Sequence, residues 1–440
     1  MAALTSAKGA LLPWARSRSS GHGGLSSVLA RALALATAGG DGCSLLPRRW
    51  QSSLPQLDRV DRSPIPTLFS IVSLSPSAGR NMQVCCERLN VCTRRSDEES
   101  GGGEIDWDKL GFGLSPTDYM YVTRCSPEDR GDFPRGELCR YGNIELSPSS
   151  GVLNYAQGLF EGMKAYRRPD RAGYTLFRPE ENARRMQHGA ERMCMPAPSV
   201  EQFVHAVKQT VLANRRWVPP QGKGALYLRP LLMGSGPILG LAPAPEYTFL
   251  IYAAPVGNYF KEGLAPINLV VHDEFHRAMP GGTGGVKTIA NYGPVLRAQT
   301  DAKSKGFTDV LYLDSVHKRY LEEVSSCNVF VVKGGVVATP ATRGTILPGI
   351  TRKSVIELAR DRGYKVEERL LSIDDLMGAD EVFCTGTAVV VAPVSTVTYQ
   401  GKKYEFRTGP DTLSQELYTT LTSIQMGLAE DNKGWTVAVE

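Results

Sequence analysis

From residue 267 to the C-terminus the chain carries a crowd of short β-branched runs at uneven intervals, and no other feature narrows the possible folds as far. Ile267 to His272, Val310 to Leu313, Val329 to Lys333, Val336 to Thr339, Glu381 to Cys384 and Ala388 to Val391 each read as a strand of four to six residues. Helices fit at Asn291 to Lys305, Arg352 to Arg362 and Leu413 to Gly427. No internal repeat is visible. Many strands at irregular spacing predict a large, strand-rich mixed domain over residues 267–440.

The stretch before it is patterned differently. Tyr119 to Cys125 alternates like a strand, and Met163 to Arg167 and Tyr174 to Phe177 flank a Pro-Asp-Arg-Ala-Gly turn, which predicts a hairpin. Pro179 suits the first position of a helix running to about Met193, and Ser199 with Gln202 forms a capping box for a helix to about Arg215. Two more strands, Ala225 to Met233 and Tyr247 to Ala254, complete a smaller N-terminal α+β unit over 105–254, followed by a connector at 255–266.

The charge is unevenly placed. Residues 1–62 hold eight cations and three acids, which is the whole net charge of +5, so residues 63–440 hold 42 of each sign. A neutral body has no electrostatic footprint for nucleic acid or for an anionic membrane, and no run of about 20 uncharged apolar residues is present to span one. The N-terminal composition, rich in Ala, Ser, Leu and Arg, reads as an organellar transit peptide over 1–55. It is taken as mitochondrial from the Arg48-Arg49-Trp50-Gln51-Ser52 stretch, with the plastid as the alternative. Residues 56–104 read as a linker. The nine cysteines show no zinc or redox spacing and are expected to be reduced and structural.

Two motifs fail on inspection. His272 and His276 stand four apart like a helical metal pair, but Asp273 follows the first where a zincin needs Glu, and a strand precedes them; no metal is expected. Gly281-Gly-Thr-Gly-Gly-Val-Lys287-Thr288 looks like a phosphate loop, yet Val286 separates the lysine from the last glycine. A glycine-rich backbone still requires a cause, either positive φ or close approach, and a lysine in a desolvated pocket can capture an aldehyde. Glu322-Glu323 stands between two strand candidates, Leu347-Pro348-Gly349-Ile350-Thr351 feeds a helix N-terminus suited to an anion, and Thr385-Gly386-Thr387-Ala388 adds a turn of small residues. An aldehyde-capturing lysine, a carboxylate and an anion cradle are what pyridoxal 5′-phosphate requires.

Leu159-Phe-Glu-Gly-Met-Lys-Ala-Tyr166, Tyr227-Leu-Arg229-Pro230, the Lys287 to Gly293 segment, Tyr320-Leu-Glu-Glu-Val-Ser, Gly344-Thr-Ile-Leu-Pro-Gly-Ile-Thr-Arg352 and Phe383-Cys-Thr-Gly-Thr-Ala388 resemble, in order, the branched-chain amino acid aminotransferases, closest to plant organellar members. The resemblance runs from about Asp106 to the C-terminus. It implies the fold type IV architecture of pyridoxal phosphate enzymes, an α/β small domain and a larger strand-rich one with the active site between them. It further implies a homodimer exchanging amino groups between leucine, isoleucine or valine and 2-oxoglutarate.

The same resemblance implies the residue roles. Lys287 is the Schiff-base lysine and proton carrier, Glu323 faces the ring nitrogen, and Tyr292 meets the phenolic oxygen. Arg185, Ile350, Thr351 and Thr387 hold the phosphate. Tyr155, Phe160 and Tyr227 line the side-chain pocket, Arg229 meets the glutamate side chain, and Thr387 and Ala388 hold the α-carboxylate. Leu239 and Leu241 come from the partner subunit. Two departures stand out: Ala290 where the family usually has Gly, and Val389 with Ala392 where mammalian members carry a redox cysteine pair. Near alternatives are a D-amino acid transaminase, an aminodeoxychorismate lyase, or a non-catalytic protein that keeps the cofactor fold.

Overall fold

The computed structural model describes residues 105–169, 173–257 and 265–440. The expected transit peptide and linker lie outside the described residues, as does most of the expected connector. The first half builds one sheet from β1 (Tyr119–Cys125), β2 (Glu137–Arg140), β3 (Gly158–Phe160), β4 (Met163–Arg167), β5 (Tyr174–Phe177), β6 (Ala225–Gly234) and β7 (Tyr247–Val256), all paired antiparallel. Three helices accompany it: α1 (Gly151–Tyr155), α2 (Pro179–Arg192) and α3 (Val200–Ala213). The sequence signals explain the two long ones. Pro179 opens α2 with Glu180 and Glu181 in its first turn, where they complement the helix dipole. Ser199 and Gln202 form the reciprocal box that starts α3. Phe203, Ala206, Val207, Thr210 and Val211 recur on one face of α3, and its apolar members join Leu226, Leu228 and Phe249 of the sheet in one core.

The second half holds β8 (Ile267–His272), β9 (Asp309–Leu313), β10 (Leu321–Val324), β11 (Asn328–Lys333), β12 (Val336–Pro340), β13 (Lys365–Arg369), β14 (Glu381–Gly386), β15 (Val390–Tyr399) and β16 (Lys402–Glu405). The strand order β10-β9-β8-β15-β14-β11 closes on itself, because Glu323 of β10 also pairs with Asn328 of β11. Apolar side chains such as Leu269, Leu311, Val329, Val382 and Val394 form the core of this closed set. Four helices belong to this half: α4 (Leu296–Ser304), α5 (Ile350–Asp361), α6 (Ile373–Met377) and α7 (Leu413–Gln425). α5 and α7 share a further core with Phe330 and Phe383 of the strands. Among the described residues no helix is long and apolar enough to cross a membrane.

Three expectations differ from what is observed. The large domain is expected to run to residue 440, but the last strand, β17 (Thr436–Val439), returns to the first sheet and pairs with β5. Its apolar alternation lets it cover an edge that would otherwise be open. The helix expected from Asn291 starts only at Leu296, after a short 3₁₀ turn at Ile289–Asn291, because Pro294 disfavours helical geometry at the residue before it. The strand expected from Ala388 begins at Val390, since residues 387–389 form a turn that lines a deep cleft.

Candidate active site

The segment carrying Lys287 is stitched to β3. The Phe160 amide donates to the Lys287 carbonyl at 3.2 Å, Leu159 bridges to Thr288, and the Thr288 hydroxyl donates to the Gly158 carbonyl at 2.9 Å. Asn291 clamps the glycine run from the other side, donating to the carbonyls of Thr283 and Val286 at 2.8 Å each. The glycines here serve close approach. A Cβ on Gly284 would stand 2.4 Å from both the Ala278 methyl and the Thr345 carbonyl oxygen, so the loop can lie against residues 344–345 only without side chains.

This packing aims Lys287 into a cavity of about 640 Å³ between the first sheet and the end of the closed strands, lined by Phe160, Tyr227, Arg229, Tyr292, Thr387 and Ala388 among others. The ammonium donates to the Tyr292 hydroxyl at 2.9 Å and lies 4.5 Å from the centre of the Phe160 ring. Glu323 sits at the pairing that closes the strands, 2% exposed. One of its oxygens accepts the Leu347 amide, and the other faces Arg277 at 3.3 Å. Burial pushes its carboxyl up, opposed first by Arg277 and also by Lys287, whose charge it feels. Glu322, also buried, is pushed up to about 7 by desolvation.

The four residues expected around a phosphate also converge. Gly349 caps α5 without a side-chain bond, which leaves the first-turn amides, Ile350 and Thr351 among them, as free donors. Ile350, Thr351 and Thr387 line one small cleft together with Gly162 and Asn182. Arg185 lies beside it with much of its guanidinium engaged: Nε and Nη2 grip both oxygens of buried Glu161 at 2.8 and 2.7 Å, and Nη1 donates to the Pro348 carbonyl at 3.2 Å. A guanidinium has five donors, so two remain. The Thr387 hydroxyl donates to the Gly162 carbonyl at 3.3 Å, and Lys164, whose pKa burial lowers to about 8, donates to the Ala388 carbonyl at 2.9 Å.

Arg229 lies between aromatic faces, 4.8 Å from the Phe160 centroid and 5.4 Å from that of Tyr227, and its buried Nε has no partner. Such an orphan donor in a cavity wall is prepared for an incoming acceptor. Phe112 also lines the cavity, edge-on to Tyr227 at 5.2 Å; the sequence reading misses it, and the only signal is an aromatic between two glycines just ahead of β1. Glu161, Arg277 and Lys164 are missed as well, although Glu161 and Lys164 lie inside the Leu159 to Tyr166 motif.

Of the residues expected to line the side-chain pocket, Tyr155 is not in this cavity, and Leu239 and Leu241, expected from a partner subunit, are not in it either. Tyr155 is expected in its wall, but the short helix α1 directs the hydroxyl to the Leu239 carbonyl. Leu239 and Leu241 are 90% and 86% exposed. All three therefore lie on one outer surface of the chain. Cys327 and Cys384, by contrast, do line the cavity; burial raises both thiols, Cys327 to about 12, so neither is a thiolate at neutral pH. Among the described residues no group of three or more His, Cys, Asp or Glu is placed to hold a metal. The His272 ring instead accepts the Glu274 and Phe275 amides at 3.3 Å.

Residues 158–397 match the family described as amino-transferase class IV. Branched-chain-amino-acid aminotransferase 3, chloroplastic, of Arabidopsis thaliana is 63% identical over 388 residues, covering 87% of this chain and 94% of that protein. Branched-chain amino acid aminotransferase 1, mitochondrial, of Humulus lupulus is 58% identical over 396 residues, covering 89% and 98%. Among solved structures, the branched-chain amino acid aminotransferase of Escherichia coli superposes with a TM-score of 0.63 at 28% identity, over 74% of this chain and 100% of that one. With the mixed fold, the lysine-bearing cavity and matches of this extent together, the chain belongs to the class IV aminotransferases, among the branched-chain-amino-acid aminotransferases.

Proposed function

We propose that the chain is a pyridoxal 5′-phosphate-dependent transaminase that moves the amino group between L-leucine, L-isoleucine or L-valine and 2-oxoglutarate in a ping-pong cycle. The observation that carries this reading is the single cavity in which the Lys287 ammonium, 2.9 Å from the Tyr292 hydroxyl, shares apolar aromatic walls with Arg229. Buried Glu323 and the free amides at the start of α5 supply the remaining donors and acceptors for the cofactor, so the residues fit that group. When bound, pyridoxal phosphate supplies an aldehyde for the substrate amine and a ring that takes up the electron pair released at Cα.

The residues then divide the work. Lys287 Nζ removes the Cα proton and returns it on the far side of the exchange, and the Tyr292 hydroxyl holds Nζ in place. Glu323 holds a proton on the ring nitrogen. Ile350, Thr351 and Thr387 bind the phosphate with the two remaining donors of Arg185. The amides of Thr387 and Ala388 orient the α-carboxylate, on a turn that Lys164 pins through the Ala388 carbonyl. Phe112, Phe160 and Tyr227 exclude water and accept an aliphatic side chain, while Arg229 receives the second carboxylate of glutamate.

Tyr155, Leu239 and Leu241 complete the pocket of a second copy, which makes the enzyme a homodimer. The exposed apolar surface that they share supports this reading. The protein is organellar, and its N-terminal composition favours the mitochondrion over the plastid.

The test is a side-by-side assay of L-leucine, D-alanine and aminodeoxychorismate, with the visible spectrum recorded before and after L-leucine. The expected outcome is turnover of L-leucine alone and a spectral change on its addition; turnover of D-alanine alone would end the assignment. Lys287→Ala loses both the spectral change and turnover. A sedimentation experiment reads the dimer, and a fluorescent fusion of residues 1–55 reads the organelle.

A further inference from the structure

Glu323 can hold a proton on a ring nitrogen only as an anion, and its burial works against that state. The strongest opposing influence is Arg277, whose Nη2 stands 3.3 Å from a carboxylate oxygen with both side chains 2% exposed. Arg277 is fixed in turn: its Nη1 donates to the Thr345 carbonyl at 2.9 Å, two residues before the Leu347 amide that donates to the other Glu323 oxygen. One loop therefore positions both members of the pair. Lys287 and Arg352 add weaker positive charge at Glu323. Glu322, the neighbouring acid on β10, feels both Arg277 and Asp314 and keeps one buried oxygen without a partner. A carboxylate offers about four lone-pair sites; two are taken at Glu323, which leaves capacity for a further donor.

We propose that Arg277 is a positioning residue of the transamination: it holds Glu323 ionised and aimed, and thereby decides whether the ring nitrogen of bound pyridoxal phosphate carries a proton. The proposal rests on the reading of Glu323 given above. The proton is shared between two sites only, a carboxylate oxygen and the ring nitrogen. With Arg277 present it resides on the nitrogen; without Arg277 the acid keeps it, the ring stays neutral, and the electron pair released at Cα has a poorer sink. Turnover then falls by about 100-fold at saturating cofactor, as for other buried electrostatic contacts that act in the transition state, with KM little changed.

The direct readout is the nitrogen resonance of ring-¹⁵N pyridoxal 5′-phosphate bound to the full chain, followed against pH. The wild type is expected to show a protonated nitrogen at neutral pH, Arg277→Met an unprotonated one, and Arg277→Lys a proton lost at lower pH than in the wild type. A protonated nitrogen in cofactor-loaded Arg277→Met overturns the proposal. Should that variant fail to fold or to bind cofactor, an Arg277→Lys titration identical to the wild type overturns it instead. Glu323→Gln separates the two readings. If its nitrogen stays protonated, the Glu323 role itself is wrong; if it loses the proton while the Arg277 variants keep theirs, only the present proposal fails.

Discussion

Two buried arginine–glutamate pairs belong to the site, and they are built to different degrees of completion. Arg185 and Glu161 meet through two bonds of 2.8 and 2.7 Å, and Asn182 adds a third donor to Glu161 at 2.8 Å. Arg277 and Glu323 meet through one ion-pair contact at 3.3 Å, and only the Leu347 amide helps. With three of about four lone-pair sites taken, Glu161 is nearly complete as structure, whereas Glu323 with two taken has more capacity for a ligand. The contrast teaches where to look for function. Of these two pairs, the one with more bonding capacity left over is read as facing the chemistry, and the more fully bonded one as holding the frame.

That contrast can be broken by removing one acid from each pair. Glu323→Gln keeps the shape but cannot hold a positive ring nitrogen, so turnover is expected to drop by about 10³-fold with cofactor still bound. Steady-state rates at saturating L-leucine and 2-oxoglutarate check this. A loss below tenfold would place Glu323 with the structural charges.

Glu161→Gln is expected to do the reverse. It leaves Arg185 buried without its counter-charge, which costs about 3 kcal/mol of stability, read as a lower urea midpoint at unchanged slope. With Arg185 no longer oriented, cofactor affinity weakens, while the rate at saturating cofactor stays within a few-fold of wild type.

The two pairs also show what is legible beforehand. Alternation exposes β1, β4, β5, β6 and β7, and cap residues expose α2 and α3, because those signals are local. The strands that escape are short or charged: Lys365–Arg369 and Lys402–Glu405 carry more charged than apolar residues, and Leu321–Val324 buries two glutamates where a pattern reader looks for apolar side chains. The site behaves alike. Lys287 and Tyr292 fall inside one motif that carries the family resemblance, but Arg277 reaches Glu323 across 46 residues and Glu161 reaches Arg185 across 24, and no periodicity reports such a partnership. Tyr155, placed in the pocket wall by resemblance alone, lies outside it, because nothing local in the sequence reports which way a five-residue helix turns its last side chain.

A third arginine sharpens the contrast. Arg229 has no carboxylate partner among the described residues; beyond the bond it shares with the Tyr227 side chain its Nε is unpaired, so capacity for an acceptor is left. Arg229→Met should therefore raise KM for glutamate by about 30-fold, the worth of a hydrogen bond to a charged group, while KM for L-leucine moves less than twofold. Equal losses for both substrates would mean that Arg229 merely props the aromatic walls.

The smallest expected effect on turnover belongs to Glu322, which has capacity left over yet does not line the cavity. Its carboxyl is raised from the ordinary 4.5 to about 7 by desolvation. Between those values the unfolded chain has released the proton and the folded chain still holds it, so folded protein binds more protons and stability falls as pH rises through that window, levelling above about 7. Glu322→Gln removes only its own share, roughly 3 kcal/mol at most, so denaturation midpoints of variant and wild type should agree near pH 4.5 and diverge toward pH 7 in the variant's favour. Parallel curves would show that Glu322 is ionised in the folded chain across the whole window, with Arg277 shared between both acids rather than committed to Glu323.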